Sequence, residues 1–63
     1  MPNFNPYSST KDVQRLTTLS RPTVYRYMAE KNFPRPKKLG SRSVWDTAAV
    51  IQWMEENLQE AQS

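Results

Sequence analysis

Apolar residues fall along this chain in three runs of different period, and the polar residues between them start and stop each run. In the first, Val13 and Leu16 stand at helical spacing behind Ser9 and Thr10, either of which can cap a helix, and Asp12 favours a helix N-terminus. A helix of about two turns is expected, interrupted by Thr17 and Thr18. Leu19 supplies an apolar residue in the turn, and Ser20 caps a second helix, placed at 20–31. Pro22 lies in its first turn, where a missing N–H does no harm. Val24 and Met28, at i and i+4, point to a packed side with Tyr25 alongside, while Arg21, Thr23 and Arg26 are expected on the other side.

After Lys31 the period changes. Pro34 and Pro36 hold the backbone extended, and Phe33 offers an anchor to the core. Lys37 to Leu39 and Ser43 to Trp45 read as two short strands around Gly40 and Ser41, with Gly40 placed for positive φ. Leu39, Val44 and Trp45 are expected to turn inward, leaving Lys37, Lys38 and Arg42 at a basic tip. Asp46 then caps a last helix, with Trp45 and Val50 placed as a hydrophobic staple. Its apolar stripe runs through Ala48, Ala49, Val50, Ile51, Trp53, Met54 and Leu58, wide enough to cover the two earlier helices. Residues 1–8 read as an extended arm from which Phe4 is free to dock on the core, 9–58 as the domain, and 59–63 as a frayed end. The fold class expected is mostly α with a small β-hairpin: a winged helix-turn-helix of three helices and a two-stranded wing.

Composition narrows the chemistry. At 63 residues the chain is one domain that buries roughly 60% of its unfolded surface, so its stability is expected to be modest. It has no cysteine and no histidine, which removes disulfides, thiolate and imidazole zinc ligands and the usual Ser-His and Cys-His nucleophile pairs. No enzyme, cofactor, metal or small-molecule substrate is expected. No apolar run approaches the ~20 residues that cross a bilayer, and the N-terminus lacks a signal-peptide pattern, so a cytoplasmic protein without a membrane partner is the expectation.

Charge changes the picture more. Net charge is +3, but residues 1–45 carry +7 and residues 46–63 carry −4. A small domain polarised in this way fits nucleic acid, its acidic segment turned away from the phosphates. Arg21 and Thr23 lie in the first turn of the second helix and Arg26 a turn later, the part of a recognition helix that reaches base edges in a major groove. Arginine there can pair with guanine O6 and N7, worth about 1 to 3 kcal/mol of discrimination each. Ser20, Tyr27, Arg35, Lys37, Lys38, Ser41 and Arg42 are expected on the backbone or an adjacent minor groove, with Lys11 and Arg15 as further phosphate candidates.

Plainer readings exist for each feature. The helical hairpin serves equally to build a core, and an exposed arginine is often only solvated. Tyr25, Tyr27, Phe33, Trp45 and Trp53 suit a stacking platform for single strands, yet so short a chain has few other groups with which to fill its interior. Glu55 and Glu56 are adjacent on a helix and diverge, which favours a solvated face, with Glu60 beside Glu56, over a catalytic pair.

From Ser9 to about Leu58 the sequence resembles the AlpA family of small phage and prophage DNA-binding regulators, relatives of excisionases and of MerR-type winged helix-turn-helix proteins. The text that carries the resemblance is LSRPTVYRYMAEKNFPRPKKLGSRSVW followed by VIQW. It implies a recognition helix matched by Ser20, Arg21, Thr23, Tyr25 and Arg26, a wing matched by Lys37, Lys38, Gly40 and Arg42, and transcriptional regulation through duplex DNA in the bacterial or phage nucleoid. Three positions depart from the pattern. Thr18 stands where a glycine is usual in the turn, Lys31 where a glycine usually ends the recognition helix, and the hairpin between Arg42 and Trp45 is one residue shorter. Asn32 can take the left-handed role in place of Lys31. Two alternatives stay open: an excisionase-type recombination directionality factor that bends attachment-site DNA, and a protein-binding adaptor or inhibitor on the same fold. A homodimer or a cooperative array on DNA is open as well.

Overall fold

A computed structural model describes residues 6–59. The expected place of Phe4, most of the arm before it and Glu60 with the residues after it lie outside the described residues. Elements follow in the order β1 (Tyr7–Ser8), α1 (Thr10–Thr17), α2 (Arg21–Glu30), β2 (Lys37–Leu39), β3 (Arg42–Asp46) and α3 (Thr47–Asn57). This is a winged helix-turn-helix, with three helices and a small antiparallel sheet.

Each helix starts where a side chain can satisfy free backbone donors. Ser9 Oγ accepts from the Asp12 N–H at 3.2 Å while the Asp12 carboxylate accepts from the Ser9 N–H at 3.3 Å, a complete capping box on α1. Ser20 Oγ accepts from the Thr23 N–H on α2, with Pro22 in the first turn. Asp46 accepts from the N–H groups of Ala48 and Ala49 on α3. The staple forms too, since Trp45 and Val50 are both fully buried.

Both departures at the helix ends resolve through left-handed backbone. Thr18 takes φ 60° at the end of α1, so a β-branched residue occupies the conformation a glycine would favour. Asn32 takes φ 59° after α2, leaving Lys31 at φ −123°. Its short polar side chain tolerates that region better than lysine would. The Phe33 N–H then reaches the Tyr27 carbonyl at 3.1 Å, turning the chain sharply into the core.

The sheet contains the expected hairpin and one strand more. It has three strands in the order β1-β3-β2, because Tyr7 and Ser8 pair with Asp46 and Trp45 in addition to the hairpin pairs Lys37 with Val44, Lys38 with Ser43 and Leu39 with Arg42. Ser8 and Thr47 share a hydroxyl hydrogen bond of 2.6 Å, and the Thr47 N–H reaches the Pro6 carbonyl at 2.9 Å. The outer half of β3 therefore holds the wing and the inner half holds the start of the chain.

Val13, Val24, Phe33, Trp45 and Val50 form the core, one from each helix, one from β3 and one from the segment after α2, with Leu19, Tyr27, Met28, Trp53 and Met54 packed against it. The indole N–H groups are satisfied at its edge: Trp45 Nε1 donates to the Pro34 carbonyl and Trp53 Nε1 to the Lys31 carbonyl, both at 3.0 Å. Three inward assignments fail. Leu39 is 68% exposed, because only Trp45 at the inner end of β3 reaches the core and Leu39 lies out beside the turn. Leu58 is 73% exposed, because α3 ends at Asn57 and the extended backbone at Leu58 takes it off the helical stripe. Tyr25 is 37% exposed and meets Trp45 in a T-shaped contact, their ring centroids 6.3 Å apart.

Candidate nucleic-acid interface

Pairing of β1 with β3 brings the start of α1 beside the wing, and α2 closes the third side of the space between them. The result is a cleft of about 490 Å³. Lys11 enters it from α1, Arg21 and Tyr25 from α2, and Lys38 and Arg42 from the wing. Hydroxyls of Ser9, Thr10, Ser41 and Ser43 complete most of the lining, and no acid contributes to it. Four cations around one hollow repel one another and create a positive potential that only an anion relieves. Gly40 takes φ 63° at the wing's turn, which allows the hairpin to reverse and present Ser41 and Arg42.

The arginines of α2 do not share a face. At 3.6 residues per turn, Arg21 and Arg26 are about 140° apart around the axis, whereas Thr23 and Arg26 are about 60° apart. Val24 and Met28 turn to the core, so Arg26 points outward with the half-buried Thr23 beside it, and Arg21 lies on the side that faces the wing. The grouping of all three on one side is thus redrawn. The Arg21 guanidinium lies over the Tyr25 ring at 5.8 Å from its centroid. Arg26 lies over Tyr27 at 5.5 Å and also pairs with Glu30 at 3.8 Å.

Other residues named from the sequence are spread more widely. Ser20 is engaged in capping and shares a 2.8 Å hydrogen bond with the Thr23 hydroxyl. Tyr27 is half-buried against Trp53, centroids 6.0 Å apart, on the side of α2 away from the cleft. Arg35 and Lys37 are exposed but do not line the cleft, and Arg15 pairs with Asp12 at 4.0 Å. From the sequence Lys11 has a minor place, and Tyr25 is assigned to packing by its spacing and to the recognition-helix motif by the resemblance. Both line the cleft, for a reason no local signal carried: the contact between strands far apart in the chain.

A sequence model of the family described as Prophage CP4-57 regulatory protein (AlpA) matches residues 9–58. The chain belongs to the AlpA family. Comparison with curated proteins and with solved structures returned no match. Membership makes the protein one of a family of prophage regulators. The AlpA match begins at Ser9, so it takes in every residue that lines the cleft and leaves out β1, the strand that brings α1 to the wing. Among the described residues no helix is long and apolar enough to cross a membrane, and no group of three or more acidic, histidine or cysteine side chains is placed to hold a metal ion.

Proposed function

We propose that the protein regulates prophage genes by binding duplex DNA in a sequence-specific way, with α2 in the major groove and the wing on the flanking backbone. One observation carries the reading: three elements converge on a cleft that holds four cations and no acid, beside the exposed first turns of α2. Thr23 and Arg26 face outward from those turns, where a groove-bound helix meets base edges, and Arg21 meets the duplex beside them. The acids Glu55 and Glu56 are exposed near the end of α3 and do not line the cleft, which leaves the cleft open to phosphates.

Selection of bound duplexes from a random pool at near-physiological salt tests the proposal, and an enriched motif is the expected result. With about six phosphates neutralised, the log-log slope of affinity against salt is expected near about −5. Absence of any enriched motif, or binding indifferent to salt, refutes it.

A further inference from the structure

We infer that the cleft between α1, α2 and the wing is a seat for a backbone phosphate of one DNA strand, and that Arg21 holds that phosphate while base discrimination on α2 falls to Thr23 and Arg26. This rests on the duplex-DNA reading and assigns its residues to separate tasks.

A helix laid in a groove presents its outermost face to the base edges and its flanks to the two walls, which are sugar and phosphate. Arg26 holds the outermost face of α2 with the half-buried Thr23 about 60° from it, while Arg21, about 140° around the axis from Arg26, is on the side turned to α1 and the wing. That flank is where Lys38 and Arg42 arrive from the wing and Lys11 from α1. The wing and the start of α1 stand beside α2, where both can meet the wall of the groove that α2 enters. Arg21 shares their space, so it shares their partner.

Chemistry agrees with direction. A phosphodiester offers acceptors and one negative charge but no donor, and the cleft offers guanidinium, ammonium and hydroxyl donors without a competing carboxylate. A volume of about 490 Å³ admits a sugar-phosphate unit. The Tyr25 ring under the Arg21 guanidinium fixes its approach, and that ring packs at about a right angle against the buried Trp45. Arg21 is thus supported from the core, which suits a fixed clamp. Lys11, which the sequence marked only faintly, becomes part of the same seat.

A duplex taken from the selection above, made again with single uncharged methylphosphonates at each backbone position, tests the inference. Arg21→Ala is expected to weaken binding about tenfold for all sequences alike and to reduce the salt slope by about one, with Lys11→Ala acting in the same direction. One methylphosphonate is expected to weaken the wild type by a similar factor and to weaken Arg21→Ala distinctly less, since only Lys11, Lys38 and Arg42 then remain to meet that phosphate. Arg26→Ala is expected to relax preference at a base position with the salt slope less affected. Circular dichroism confirms that the exposed substitutions leave the fold intact, and Arg21→Lys, which retains the charge, is expected to keep the slope. Should Arg21→Ala relax preference at one base pair while the slope stays constant, Arg21 reads a base and the seat is refuted. A wild-type chain that binds no duplex refutes instead the parent reading, a result visible before any variant is made.

Discussion

Two arginines of α2 sit over tyrosines that rest in turn on tryptophans, Arg21 on Tyr25 and Trp45, Arg26 on Tyr27 and Trp53. The stacks look alike and their surroundings do not. Arg21 shares a cleft with three other cations and no acid, whereas Arg26 pairs with Glu30 and has Lys31 over the same tyrosine ring, 5.9 Å from its centroid. Below them, Trp45 is fully buried and Trp53 half-buried. One stack joins an uncompensated charge to the centre of the core; the other lies compensated along its rim. The lesson is that residue type and helical position do not fix an arginine's role, because the charges brought in from other elements do.

The largest test removes the tryptophans. Trp45→Ala deletes the largest fully buried side chain and its bond to the Pro34 carbonyl, and is expected to cost about 3 to 5 kcal/mol. That approaches the whole stability of so small a domain, so circular dichroism at 25 °C should show it largely unfolded. Trp53→Ala leaves the centre of the core in place and is expected to cost about half as much, with a folded chain of lower Tm. Equal losses would show that the two stacks are equivalent supports, contrary to the comparison.

How much of this contrast was visible in the chain follows from the range of each interaction. Ser9, Ser20 and Asp46 act on backbone within three residues, so the helix starts were legible, as was the Trp45-Val50 staple. Asn32 could be named for the left-handed role because the preference is intrinsic to its side chain. Strand β1 was not legible: two residues have no period, and the bond between Ser8 and Thr47 spans 39 positions. Without it the start of α1 has no known neighbour, and Lys11 cannot be seen to join the wing. The separation of Arg21 from Arg26 lay in the helical period, but its meaning needed the wing's position. Leu58 misled because it continues the apolar stripe past the end of α3, and Leu39 because it is the last residue of β2, a strand that buries none of its side chains.

Smaller effects sharpen the account of the turns that aim the two stacks. Gly40→Ala puts a Cβ into open space, so only the positive φ opposes it, and a loss of about 1 kcal/mol is expected in urea unfolding. Thr18→Gly acts in the reverse direction. It relieves a β-branched residue at φ 60° but adds freedom to the unfolded chain, for an expected net gain of about 0.5 kcal/mol in the same measurement. A loss there would mean that threonine is favoured by contacts that outweigh its backbone.

The smallest expected change in stability separates the two arginines most directly. Glu30→Gln removes the acid that pairs with Arg26 without altering the shape of the side chain. Both partners are well exposed, so the pair contributes little, and a change within about 0.5 kcal/mol is expected by thermal denaturation. Duplex binding responds differently if the proposed DNA face includes Arg26. Loss of a negative charge beside it should tighten binding about two- to threefold at low salt, and the gain should shrink as salt screens the site. Arg21 has no such acid to remove, so its full charge is already available to the cleft. Binding that is unaltered by Glu30→Gln at low salt would place Arg26 away from the duplex, leaving Thr23 as the outward contact on α2.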